Sequence, residues 1–148
     1  SHGNEMGFSS EDEVVDYTWE EFGRLLCETG CMKDDCVILL SCCRGGLNQV
    51  AYTLFACCNH ISYVVGPRQS LFPSEMLIGY NVLLFNMEKR HMDAVVACEK
   101  IQAATDLRFV CFDRLEVEIE PAYVTYRKEY EDRRQIEWKD EWEKNQTF

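Results

Sequence analysis

Cys36-Val37-Ile38-Leu39-Leu40-Ser41-Cys42-Cys43-Arg44-Gly45-Gly46 is the stretch that decides the fold. Its opening run is short, continuously apolar and partly β-branched, which predicts a buried strand of the kind found in parallel sheets. A sharp break follows at Cys43 to Gly46. Beyond it Leu47, Val50, Ala51, Leu54, Phe55 and Cys58 recur at helical spacing. Ile61 to Val65 predicts a second short strand, stopped by Gly66-Pro67. Ser74 is placed to cap a helix running to about Met87, apolar on nearly every face and so either deeply buried or in a subunit interface. Ala94, Val95, Ala97, Cys98 and Ile101 predict another amphipathic helix, and Arg108 to Phe112 a third strand. Leu115, Val117 and Ile119 alternate with Glu116, Glu118 and Glu120, the period of a half-exposed strand.

Upstream, Ser1 to Tyr17 reads as loop. Thr18 and Glu21 have capping-box spacing, and Trp19, Phe22, Leu25 and Leu26 form an apolar stripe that Gly30 ends. The order strand–helix–strand–helix–helix–strand predicts an α/β fold over residues 1–120. The expectation is a three-layer sandwich with a mostly parallel sheet and right-handed crossovers. Residues 121–148 differ. They are rich in Glu, Lys and Arg, with Tyr123, Tyr126, Tyr130, Trp138 and Trp142 at helical steps. They predict a charged C-terminal helix laying an aromatic seam on its own domain, or serving as a partner-binding arm.

The chain has 148 residues, 47% of them hydrophobic, enough for one compact domain with a core. A net charge of −11 argues against nucleic acid as a direct partner. Ten acidic and two basic residues lie between Glu5 and Asp35, a solvated face or a rim that attracts cationic substrates. No apolar run approaches the ~18 residues that span a bilayer, so no membrane association is expected. The chain starts at Ser1 and shows no signal-peptide pattern, which reads as a processed product or a fragment. Nine cysteines, odd in number and without a CxxC pair, argue against a disulfide scaffold and against zinc, and fit a reducing cytoplasm. Cys27, Cys57, Cys98 and Cys111 lie on apolar runs and are expected in the core.

Reactive groups in an open α/β sheet sit at the carboxyl ends of strands, where Cys42 and Cys43 fall. Gly45 and Gly46 let the chain turn there and leave room for a substrate backbone. A cysteine nucleophile needs a basic partner. His60 belongs at the opposite sheet end, and His91 in the charged Glu88-Lys89-Arg90 turn. His2, in Ser1-His2-Gly3, is the remaining histidine.

Ser1-His2-Gly3 resembles the His-Gly motif of caspases and their relatives. Ser41-Cys42-Cys43-Arg44-Gly45-Gly46, after an apolar strand, resembles the nucleophile motif of the same group, closest to its CHAT-type bacterial branch. The two motifs lie 41 positions apart, and the order of elements downstream also matches. The resemblance covers roughly Ser1 to Phe112. It implies a cysteine endopeptidase with a Cys-His dyad: Cys43 as nucleophile, His2 as base, and the Gly3 and Cys43 amides as oxyanion donors. Ser41, Arg44 and Arg68 fall where the substrate pocket is shaped. Ser41 replaces the family's aspartate-binding Gln, which removes one basis for aspartate specificity; Arg68 would still favour an acidic side chain, while the acidic loop would favour Arg or Lys. The resemblance implies no metal or cofactor, a protein or peptide substrate, and a setting in bacterial defence or regulated proteolysis. It also implies a front half of the fold, or another chain, before Ser1. The rival expectation is a catalytically inactive interaction module of the same fold.

Overall fold

The computed structural model describes residues 2–10, 12 and 16–146. Ser1 of the His-Gly motif and Glu11 and Glu13 of the acidic run lie outside them. The segment expected as loop folds into three short strands, β1 (His2–Gly3), β2 (Gly7–Ser9) and β3 (Asp16–Thr18). They form an antiparallel sheet in that order. The turn between β1 and β2 is made by Asn4, whose side-chain oxygen accepts from the Met6 and Gly7 amides at 2.8 and 3.1 Å. Gly7 is required at the far side, since a Cβ there would stand 2.1 Å from the Tyr17 carbonyl oxygen.

Helix α1 (Trp19–Glu28) starts at the expected box: the Glu21 amide donates to Thr18 Oγ1 at 3.1 Å, and the Thr18 amide to Glu21 Oε2 at 2.9 Å. Gly30 takes a left-handed φ of 64° just past its end. Then follow β4 (Cys36–Leu39), α2 (Asn48–Cys57), β5 (Ile61–Pro67), α3 (Pro73–Arg90), α4 (Ala94–Thr105) and β6 (Phe109–Asp113). A short α5 (Arg114–Val117) and the long α6 (Pro121–Gln146) close the chain.

The expected three-layer sandwich on a mostly parallel sheet does not form. The second sheet has three strands in the order β4-β5-β6, with β4 parallel and β6 antiparallel to β5. The reason lies in the connection. Helix α3 has 18 residues and runs away from the carboxyl end of β5; the 12-residue α4 brings the chain back to it. The next strand therefore starts where β5 stops, with Phe109 opposite Pro67, and has to run the other way. Among the described residues, the N-terminal strands pair only with one another. The strand expected over Leu115 to Ile119 is also corrected. Asp113 caps the Leu115 amide at 3.0 Å and turns the chain into α5, leaving Leu115 and Ile119 exposed.

Side chains alternate across the sheet into two cores. Val64 and Phe112 enter a cluster with Trp19, Leu54, Phe55 and Tyr123 from α1, α2 and α6. Val65 enters one with Met76, Leu83, Ala97 and Ile101 from α3 and α4, and Cys111 packs against it. Of the cysteines expected in the core, Cys98 is buried, Cys57 and Cys111 are half-buried, and Cys27 is exposed. Among the described residues, no helix is long and apolar enough to cross a membrane.

Candidate functional site

The site grows from the end of β4. The Leu40 amide donates to the Val65 carbonyl at 2.8 Å, extending the alignment of the two strands one residue beyond β4. The chain then breaks away through Ser41 to Gly46. Arg44, not a glycine, takes the left-handed φ, at 58°. Gly45 and Gly46 serve a different need from that expected. A Cβ on Gly46 would lie 2.3 Å from the Gly66 carbonyl oxygen, and one on Gly45 2.8 Å from Leu40 Cβ. The room at Gly46 is filled by the backbone of β5 and that at Gly45 by the Leu40 side chain, with no space left for a substrate there. The amides of Arg44, Gly45 and Gly46 are spent on the carbonyls of Gln69, Cys42 and Pro67.

Cys42 and Cys43 point to different surroundings. Cys42 is 5% exposed, and burial pushes its thiol up to about 11. Cys43 is half-buried, with its sulfur 3.8 Å from the Leu71 carbonyl oxygen. It opens into a cavity of about 600 Å³. The walls are Leu39, Leu71, Pro73, Met76, Leu77 and Tyr80; Ser41 lies beside Cys43 on the rim. The Tyr80 hydroxyl is turned away from use, donating to the Leu40 carbonyl at 2.6 Å with the Val65 carbonyl at 3.2 Å.

Strand β1 lies against this turn. A Cβ on Gly3 would stand 2.8 Å from the Cys43 carbonyl oxygen and 3.0 Å from Cys42 Sγ. The residue carrying the expected base is thus bonded to the residue that touches the expected nucleophile. The His2 imidazole is exposed and lines a neighbouring cavity of about 540 Å³ with Asn4, Asp16, Tyr17 and Glu21. Among the described residues, no hydrogen bond joins it to the Cys43 thiol. His60 stands at the start of β5, the sheet end opposite Cys43, and pairs with Asp34 at 2.6 Å. His91 is an exposed left-handed cap of α3.

The expected pocket residues separate. Ser41 lines the Cys43 cavity; Arg44 and Arg68 do not. The Arg68 guanidinium donates to Asn48 Oδ1 at 3.3 Å and sits 5.9 Å over the Phe112 ring. The cavity wall comes instead from Leu71 to Tyr80, which sequence reasoning left unassigned to any site. The one signal was the excess of apolar residues along that helix, more than one buried face requires. Among the described residues, no group of three or more His, Cys, Asp or Glu side chains is gathered for a metal. No protein-family model and no curated protein matches the chain.

Proposed function

We propose that the chain is a cysteine peptidase in which Cys43 is the nucleophile and His2 the general base. The observation that supports this is the seating of Gly3 on the Cys43 carbonyl, which holds the two residues at one edge of the fold. The Cys43 thiol passes its proton to the His2 imidazole. Its sulfur bonds to the scissile carbonyl carbon, and the oxyanion takes hydrogen bonds from the Gly3 and Cys43 amides. The C–N bond then breaks, His2 returns the proton to the leaving amine, and water hydrolyses the thioester to free Cys43. Catalysis requires the exposed imidazole to come within hydrogen-bond reach of the thiol in the substrate complex.

A second reading, an interaction module without activity, is favoured by the apolar side chains that α3 leaves exposed: Leu77, Ile78, Leu84 and Phe85. One experiment separates the two. Under the peptidase reading, an iodoacetamide probe near neutral pH labels Cys43 faster than the exposed Cys27 and Cys31. Cys43→Ala then abolishes cleavage of a peptide panel, and His2→Ala lowers it by about 10²–10⁴-fold. No cleavage, with Cys43 labelled no faster than Cys27 and Cys31, defeats the peptidase.

A further inference from the structure

We propose that the cavity beside Cys43 is the acyl-side specificity pocket and accepts one large uncharged side chain, such as Leu, Met or Phe, in place of Asp, Lys or Arg. This rests on Cys43 being the nucleophile proposed above. The cavity begins at the sulfur: Leu71 gives its carbonyl oxygen to the thiol at 3.8 Å and its side chain to the wall. A side chain one atom from the attacked carbonyl therefore has this space to enter.

The wall is hydrocarbon. Leu71, Met76 and Tyr80 are themselves nearly buried, and among the described residues no charged one lines the cavity. The polar end of Tyr80 is consumed by two main-chain carbonyls, so its ring is what the cavity meets. Arg68, expected to receive an acidic side chain, is elsewhere, on Asn48 and Phe112, and Arg44 lies outside the lining. A carboxylate or ammonium entering here would lose its water with no counter-charge to replace it. Asp16 and Glu21 border the other cavity. At about 600 Å³ the space is within the range of small-molecule sites and ample for one side chain.

The test uses the whole chain and four reagents: iodoacetamide, and its N-phenethyl, N-carboxymethyl and N-aminoethyl derivatives. Each forms an S–C bond, expels iodide and releases the thiol proton to buffer. Labelling at Cys43 is read by peptide mass spectrometry and normalised to the exposed Cys31. The phenethyl reagent is expected to label Cys43 at least about 10-fold faster than either charged reagent on that scale. Leu77 is 62% exposed at the cavity edge, so Leu77→Asp should leave the fold intact and bring the phenethyl-to-aminoethyl ratio towards one, since the new carboxylate favours the cationic reagent. His2→Ala slows every reagent alike if His2 is the base and slows none if it is not. The ratio survives in both cases, so the pocket and the dyad fail separately. Equal rates at Cys43 across the reagents, no reaction there, or a ratio untouched by Leu77→Asp overturns the pocket.

Discussion

Cys42 and Cys43 are neighbours in the chain and opposites in environment. Alternation sends one thiol into the α1–α2 core and leaves the other facing a cavity. The buried thiol has a consequence for stability. Cys42 is held up to about 11 by desolvation, and the unfolded chain releases that proton at an ordinary thiol value. Between about pH 9 and pH 11 the unfolded state therefore binds fewer protons than the native one, and stability falls as pH rises. Cys98, buried under α4 and raised to about 12, acts in the same direction. Urea titrations at pH 8 and pH 10.5 should show the loss, and Cys42→Ala should remove a share of it, on the order of 1–2 kcal/mol. A pH dependence unchanged in that variant would mean the thiol is not desolvated. His2 could be nominated from three adjacent residues because the Ser1-His2-Gly3 resemblance is local. The hairpin around it was not, because its signals were an Asn turn and a Gly seated against Tyr17, and only a paired strand gives those meaning.

At the scale of elements, one side chain ties three together. Arg114, at the start of α5, donates to the carbonyls of Phe55 and Ile61 at 3.1 and 2.5 Å and to that of Cys58, with its guanidinium 4.7 Å from the Phe55 ring centroid. It thereby closes the end of α2 onto the start of β5. Removing it leaves three carbonyls without their donor. Arg114→Ala is expected to cost about 3 kcal/mol or more by chemical denaturation. Lys at the same place should recover less than half, because one ammonium cannot match the planar fork. A cost below about 1 kcal/mol would show that water takes over these carbonyls. The period-two pattern after Asp113 predicted a strand, yet the aspartate cap and the three Arg114 bonds form a helical turn. Local capping chemistry overrides a weak alternation of only three pairs.

For the whole molecule, α6 decides how the first core is completed. Tyr123 is 1% exposed inside the cluster of Trp19, Leu54 and Phe55, and Tyr126 bonds Thr53 at 2.8 Å. Arg133 and Glu20, and Arg24 and Glu137, bridge α6 to α1. Farther along, Trp138 and Trp142 are 66% and 54% exposed. The aromatic seam is thus structural in its first half only. Tyr123→Ala should cost about 3–5 kcal/mol in a denaturation experiment. Trp138→Glu with Trp142→Glu should stay within about 0.5 kcal/mol of the parent. Tyr123→Phe should be neutral or stabilising, since the buried hydroxyl has no hydrogen-bond partner among the described residues.

By itself the amino-acid sequence determined what depends on near neighbours: the capped α1, the apolar β4 and β5, the helices α2, α3, α4 and α6, and the break that turns two adjacent cysteines to different surroundings. These follow from periodicity, capping and turn chemistry within a few residues. Tertiary structure alone decided the rest. The return of α4 to the carboxyl end of β5 reversed β6 and made the sheet mixed. Packing of backbone on backbone at Gly46 and Gly66 closed the space expected for substrate, and α3 supplied an apolar wall where arginines were expected. Each of these joins residues far apart in the chain, and no local pattern encodes which surfaces will meet.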